Sequence, residues 1–179
     1  FEVAIDTDCS QIIVKRQPAA TALRLIMAVT KTVTDLERVG DEAHKIARMA
    51  RQIHERGVVD VAHFANIRHT GDAAVAMLRQ ALDAFARLDV EDAGRVITED
   101  RAIDGEFKAV IRQLITYMME DPRTISTALD IIWIAKAIER IGDHAKNICE
   151  QVIYIVMGTD IRHTKLERDE GGKLLEKTG

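Results

Sequence analysis

The chain has 179 residues, of which 47% are hydrophobic and 4% aromatic, and it contains only 2 prolines. This composition favours an all-α fold with enough apolar surface for a sizeable core. The formal net charge of −4, without any long basic run, argues against nucleic-acid binding. No apolar stretch approaches the ~18 residues of a membrane-spanning helix.

The two cysteines, Cys9 and Cys149, are far apart and form no C-x-x-C motif. They are typical of reduced, buried thiols in a cytosolic protein rather than of a disulfide or a zinc site. The chain opens at Phe1, without methionine and already within a helical pattern, so we expect it to be a fragment of a longer product.

Five helices are predicted in chain order. The first extends from the start of the chain to about Arg16, where Pro18 ends it, because the residue before proline is disfavoured in the α region. The second begins after this proline and continues to about Glu55, before the break at Gly57.

The third helix is predicted over about residues 60–88. Asp89 is the predicted N-cap of the fourth helix, which runs to about Glu120. Pro122 opens the fifth helix, because proline is favoured in a first turn, and Gly158 follows its end.

A twelve-residue segment occurs twice, as LERVGDEAHKIA at 36–47 and as IERIGDHAKNIC at 138–149. Each copy follows an acid-pair helix and a proline break, which indicates two copies of a three-helix unit, the first without its opening helix. We therefore expect the apolar faces of the first two helices to be partly uncovered and available to a partner chain. The predicted domains are a truncated first repeat (1–57), a second repeat (58–158) and a mobile polar tail (159–179).

Acidic residues four apart interrupt the apolar stripes of these helices. In the second helix, the stripe predicted from helical periodicity contains Leu23, Ile26, Thr30 and Val33, and it continues through Glu37, Asp41 and His44. In the fifth helix, Ile125, Leu129 and Ile132 define the stripe that reaches Glu139 and Asp143. We predict that every acid pair lies on the packed face of its helix.

Inward carboxylates predict two metal sites, because burial of uncompensated charge costs several kcal/mol. Carboxylates with water are hard-oxygen ligands suited to Mg²⁺, Mn²⁺, Ca²⁺ or iron. Gly40 and Gly142 are predicted to let two helices approach closely beside the acids. The predicted ligands are Glu2, Asp6, Glu37 and Asp41 in a first acidic set, and Asp100, Asp104, Glu139 and Asp143 in a second acidic set.

Two other interpretations of the acids stay open. They are either ordinary charges on solvated faces, or members of a buried network that is protonated or paired with Arg38, Arg140 or Lys136. Trp133 lies beside the stripe of the fifth helix and is predicted to border either an interface or the core.

Motifs for catalysis are weak or missing. Asp41 and His44 resemble half of a di-iron carboxylate motif, but the second copy has Lys146 in place of the histidine. His63 and His69 are predicted to be solvated helix residues. No phosphate-binding loop, dinucleotide fingerprint, G-x-S-x-G or H-x-x-x-H motif occurs, so we predict a non-enzymatic protein.

The two E-R-[VI]-G-D-x-A signatures, each in a proline-started helix with a partner acid pair, resemble the PhoU family of bacterial phosphate-signalling regulators. The segments KRQPAATALRLI (15–26) and QLITYMMEDPRTI (113–125) resemble that family too. The resemblance implies two tandem three-helix bundles, with metal ions at the E/D-x-x-x-D clusters, for which Mg, Mn, Fe, Ni and Zn are all candidates. His44 has no counterpart in the second copy, so the two sites need not hold the same ion.

The resemblance also implies a regulatory role. Such proteins repress the phosphate-starvation response by linking the phosphate ABC transporter, through its ATPase subunit PstB, to the sensor histidine kinase PhoR. They are cytoplasmic homodimers, peripheral to the membrane only through their partners. The alternatives are a metal-dependent enzyme, either a carboxylate-bridged dinuclear hydrolase or an oxidase, and a metal buffer.

Overall fold

The computed structural model describes residues 2–57, 65–161, 165–168 and 174–177. Its five helices confirm the all-α prediction, and their observed ends lie close to the predicted ones. The first residues of the predicted third helix, 60–64, lie outside the described residues. The helices are α1 (Glu2–Arg16), α2 (Thr21–Glu55), α3 (Ala65–Arg87), α4 (Val90–Glu120) and α5 (Ile125–Met157).

The predicted stop and start signals act as expected. Gly57 has a φ of +70° after α2, a conformation that glycine adopts without steric cost. Asp89 caps α4 through its Oδ1, which accepts hydrogen bonds from the amides of Glu91 at 3.1 Å and Asp92 at 3.0 Å. A short 3₁₀ turn at Pro122–Thr124 precedes α5.

The C-terminal residues contain two short strands, which the expectation of a mobile polar tail did not include. Strand β1 (Lys165–Arg168) pairs antiparallel with β2 (Leu174–Lys177), with Lys165 opposite Lys177. No described helix combines the length and the apolarity that crossing a membrane requires.

The chain forms two compact units whose borders fall inside the long helices. Unit 1 comprises residues 1–37, 79–98 and 145–179, and unit 2 comprises residues 38–78 and 99–144. These units do not coincide with the predicted repeats 1–57 and 58–158, since each unit draws segments from α2, α3, α4 and α5. The division into two sequence repeats stays a prediction.

Each unit has a core of small and β-branched side chains. In unit 1, α5 contributes Ile148, Val152 and Ile153, all fully buried, and α3 and α4 contribute buried alanines. In unit 2, Ile131 and Ile138 of α5 are 3% and 5% exposed. Full burial of a side chain of this size stabilises the fold by about 1.5–3 kcal/mol.

The stripe predicted for α2 is wrong. Its buried row follows another set of positions, spaced alternately by four and three residues, whereas Leu23, Glu37, Asp41 and His44 are all exposed. Polar residues occupy part of this row, so a search for apolar periodicity selects the neighbouring face instead. The observed row, buried or half-buried, is Ala28, Thr32, Asp35, Val39, Glu42, Ile46, Met49 and Ile53.

The stripe predicted at the start of α5 is also wrong, since Ile125 is 42% and Leu129 47% exposed. Here both faces of the helix are apolar, so composition could not tell which of them the neighbouring helices cover. The buried row begins instead at Ala128 and Ile131.

The expected uncovered apolar faces are present in unit 1. On α1, Val3 is 78% and Val14 76% exposed, and Cys9 is the buried residue of this helix. On α2, Leu25 and Met27 are 41% and 44% exposed.

The prediction that the two signature glycines allow close helix approach holds for one of them. A Cβ on Gly142 would lie 3.4 Å from Ile103 Cδ1 of α4, so the absence of a side chain lets α4 and α5 approach. A Cβ on Gly40 would meet no atom within 4 Å, and this position is exposed.

Replacing Gly40 with Ala is therefore expected to raise the free energy of unfolding by about 1 kcal/mol, the difference in helix propensity. Urea unfolding measures the change. The matched control is Gly57→Ala, which should destabilise the protein because alanine is strained at positive φ. A loss of stability in Gly40→Ala would show that this glycine has a contact role after all.

Candidate functional site

The second acidic set lies within unit 2, on facing parts of α4 and α5. Asp100 is 4% exposed, and Asp104, Glu139 and Asp143 are half-buried. Asp100 Oδ1 would lie 3.6 Å from a Cβ on Gly142, so this glycine lets the α4 carboxylate approach the backbone of α5. The prediction that these acids point towards packed surface is confirmed for this set.

Burial and the other three acids of the set raise the pKa of Asp143. Burial raises the pKa of Asp143 above its ordinary value of 3.8, and the charges of Glu139, Asp100 and Asp104 raise it further. Each of these causes disfavours the ionised carboxylate, because it is partly removed from water and repelled by like charges. The second acidic set is therefore a place where a cation would relieve unfavourable charge.

Lys136 supplies part of that positive charge. Its Nζ lies 2.5 Å from Glu139 Oε2 and 5.3 Å from the centre of the Phe107 ring. It also opposes the rise in the pKa of Asp143. The alternative of a salt-bridged network thus has one definite pair, between Lys136 and Glu139, with Lys136 as predicted.

The first acidic set is arranged differently. Glu2 is half-buried and its Oε1 accepts a hydrogen bond from Thr34 Oγ1 at 3.1 Å. Asp6 is half-buried too, and its Oδ1 is buried without a hydrogen-bond partner. Glu37 and Asp41 are exposed, which corrects the prediction that they lie on the packed face of α2. For these two, the interpretation as solvated charges holds.

Among the described residues, no three His, Cys, Asp or Glu side chains converge closely enough to form a metal centre. The donor chemistry of the second set nevertheless fits a hard cation with water in its shell. The second set therefore fits a metal better than the first.

Sequence reasoning missed a group of buried polar contacts between α2 and α5. In unit 1, Asn147 Nδ2 donates to Asp35 Oδ1 at 3.2 Å, and Asp35 is 7% exposed. In unit 2, Arg140 Nη1 lies 3.0 Å from Oε1 of Glu42, which is 3% exposed. The alternating four-and-three spacing that places Asp35 and Glu42 in the buried row was available in the sequence as a signal.

Two further predictions, on the cysteines and on Trp133, can be compared with the structure. Cys9 and Cys149 are free and buried, as predicted. Burial raises the pKa of the Cys149 thiol to about 12, with a smaller contribution from Glu150, so the thiol stays protonated at neutral pH. Trp133 is 59% exposed, so it does not flank the core, and its place at the border of an interface stays a prediction.

Comparisons with known proteins agree on one family. A family model described as "PhoU domain" matches residues 1–50 and 67–152. The chain is 54% identical to "Phosphate-specific transport system accessory protein PhoU homolog" of Pseudomonas putida, over 94% of this chain and 65% of that protein. It is 48% identical to "Phosphate-specific transport system accessory protein PhoU" of Escherichia coli (strain K12), over 98% of this chain and 71% of that protein.

Two solved structures have a fold similar to that of this chain. The crystal structure of PhoU from Pseudomonas aeruginosa has a TM-score of 0.85 at 51% identity and covers 88% of this chain and 75% of that chain. The crystal structure of the phosphate transport system regulatory protein PhoU from Streptococcus pneumoniae has a TM-score of 0.79 at 26% identity, over 89% of this chain and 73% of that chain.

Proposed function

Since the chain belongs to the PhoU family, we propose that it is a non-enzymatic accessory protein of phosphate uptake that represses the phosphate-starvation response. In this proposal it links the ATPase subunit of a phosphate ABC transporter to a sensor histidine kinase, as a cytoplasmic homodimer. It reaches the membrane only through these partners. The family match over residues 1–50 and 67–152 carries the proposal, together with relatives that are about half identical and named as transport accessory proteins.

The structure supplies features that suit an adaptor. Exposed apolar side chains lie in rows on helix surfaces, such as Ile125, Leu129 and Trp133 at intervals of four residues on α5. Large exposed apolar patches are typical of protein-binding surfaces.

We further propose that the second acidic set holds a cation, with Glu2 and Asp6 of the first set as a weaker site in unit 1. A bound divalent or ferric ion would supply positive charge between the carboxylates of α4 and α5. Asp100 and Asp104 present oxygen donors from α4, and Glu139 and Asp143 present them from α5. Gly142 leaves room for the close approach of the two helices, and Lys136 holds Glu139 in place. The ion would thereby stabilise the relative position of two helices within unit 2.

Deleting the gene that encodes this chain is expected to switch on a phosphate-responsive reporter in phosphate-rich medium. We expect a rise of about tenfold, within the range that a coupling of 1–3 kcal/mol between sites produces. The reporter is read as fluorescence per cell, and the intact gene on a plasmid should restore repression. Variants that lack Asp100 and Asp143 carboxylates should restore it less well than the exposed-acid control Asp72→Asn.

The deletion strain and the purified protein distinguish the two alternatives, a metal buffer and a metal-dependent enzyme. A metal buffer predicts altered tolerance to added metal with unchanged reporter activity, and this result would contradict the proposal. A metal-dependent enzyme predicts turnover of phosphoesters or oxygen consumption by purified, metal-supplemented protein.

A further inference from the structure

A polar cavity in unit 2 shares no residue with either acidic set. It lies between α3 and α4 and has a volume of about 290 Å³. It combines a carboxylate, an imidazole, an amide and a hydroxyl with an apolar wall. The lining residues are Asn66, His69, Thr70, Glu106, Ala109 and Val110.

Glu106 has an unsatisfied oxygen at this cavity. Its Oε2 is buried without a hydrogen-bond partner, and its Oε1 lies 3.6 Å from His69 Nε2. That separation exceeds the 2.7–3.2 Å of an N–H···O hydrogen bond. A buried carboxylate oxygen without a donor is unfavourable, so Glu106 lacks a partner that a ligand would provide.

The distance between His69 and Glu106 suits two ligands of one metal ion. Zinc binds imidazole nitrogen and carboxylate oxygen at about 2.0–2.2 Å in tetrahedral geometry, which places two such ligands about 3.4 Å apart. The observed separation of 3.6 Å is close to this value, and a small side-chain rotation would bring the two atoms to it. An imidazole ligand favours zinc and related transition ions over Mg²⁺ or Ca²⁺.

The side-chain amide oxygen of Asn66 is a third candidate metal ligand at the cavity. Asn66 Nδ2 donates to Gln113 Oε1 at 2.9 Å, and Gln113 Nε2 donates to the Tyr117 hydroxyl at 2.7 Å. This chain of hydrogen bonds assigns the amide group of Asn66 to Gln113, and Oδ1 is then the group that Asn66 offers as a ligand. Ala109 and Val110 form an apolar wall, which strengthens electrostatic attraction at the site.

We propose that His69 Nε2 and Glu106 bind a zinc ion in the α3–α4 cavity, with Asn66 Oδ1 and water in the remaining positions. One imidazole nitrogen, one carboxylate oxygen and one amide oxygen make a site of modest affinity. Because the His69 side chain is 78% exposed, the ion exchanges with solvent. The site is separate from the oxygen-only second acidic set, which suits harder cations.

Titration of the purified, metal-free chain with zinc chloride, followed by ¹H–¹⁵N NMR of the histidine rings, tests the proposal. We expect zinc to shift the Nε2 resonance of His69. His69→Ala and Glu106→Gln should each weaken zinc binding by at least about tenfold, as loss of a metal ligand or its support does. The matched control is His54→Ala, which removes another exposed histidine and should leave this zinc site unchanged.

An unshifted His69 resonance at saturating zinc would overturn the proposal and leave a simple imidazole–carboxylate contact. Equal zinc affinity in Glu106→Gln and the unaltered chain would overturn it as well. Circular dichroism melts of each variant establish that it is folded. Folding should persist because the replaced side chains of His69 and Glu106 are 78% and 35% exposed.

Discussion

Replacing Arg140 with Ala is expected to lower the free energy of unfolding by about 2–3 kcal/mol. Glu42 is the reason, because its side chain is only 4% exposed and it contacts the Arg140 guanidinium at 3.0 Å and Lys45 Nζ at 2.8 Å. Breaking a fully buried ion pair typically costs about 3–5 kcal/mol, and both the 46% exposure of the Arg140 side chain and the remaining Lys45 lower that figure. Urea unfolding of the variant measures the loss.

The matched control is Arg123→Ala. Arg123 pairs with Asp121 at 2.9 Å, but its side chain is 91% exposed, so we expect a change within about 0.5 kcal/mol. Adding Glu42→Gln to Arg140→Ala should recover part of the stability, since the unpaired buried charge is then gone. Equal losses in the free energy of unfolding for Arg140→Ala and Arg123→Ala would show that burial of Glu42 does not strengthen its ion pair with Arg140.

Replacing Asp143 with Asn is expected to raise the free energy of unfolding in the absence of metal and to lower it when metal is bound. Burial and the charges of Glu139, Asp100 and Asp104 raise the pKa of Asp143 in the folded protein above 3.8. Between 3.8 and that raised value the folded state binds more protons than the unfolded state, so stability falls as pH rises through this window. Metal-free Asp143→Asn should therefore be more stable than the unaltered chain at pH 7.

The expected gain at pH 7 is at most about 1 kcal/mol, because Asp143 is half-buried and water screens its repulsion. It should vanish below pH 3.8, where Asp143 is protonated in both states. Thermal melts over a series of pH values in chelator measure the difference. A variant less stable than the unaltered chain at pH 7 would contradict the electrostatic account of this site.

With metal present, the order should reverse. An ion that binds the folded state at 100 times its dissociation constant adds about 2.7 kcal/mol of stability, and Asp143→Asn should lose most of this gain. Elemental analysis of Glu139→Gln/Asp143→Asn should show about half of the metal if both acidic sets are occupied. Asp72→Asn, an exposed acid of α3, is the control. Unchanged metal content would remove these two residues from the ligand set.

Local signals predicted the helices well because their ends depend on neighbouring residues. Gly57 ends α2 through its positive φ, and Asp89 caps α4 with its own carboxylate. The resemblance to the PhoU family, based on the duplicated E-R-x-G-D signature, is confirmed by the family match over both copies. These features need no knowledge of which helices are neighbours.

The candidate site could be predicted only in part. Asp100 and Asp143 point towards packed surface as expected, whereas Glu37 and Asp41 do not. Both α2 and α5 carry apolar residues on more than one face, so periodicity alone selects several stripes with similar weight. The buried row of α2 includes Asp35 and Glu42, whose partners, Asn147 and Arg140, are more than ninety residues away in sequence.

The amino-acid sequence by itself determined the all-α class, the helix ends and the family, since each of these rests on short-range preferences or on a repeated motif. Only the tertiary structure decided which acids are enclosed, which glycine admits a neighbouring helix, and that His69 and Glu106 meet at one cavity. The physical reason is that burial and pairing are properties of two helices together. The free energy of a carboxylate depends on what lies opposite it, and a single helix does not contain that information.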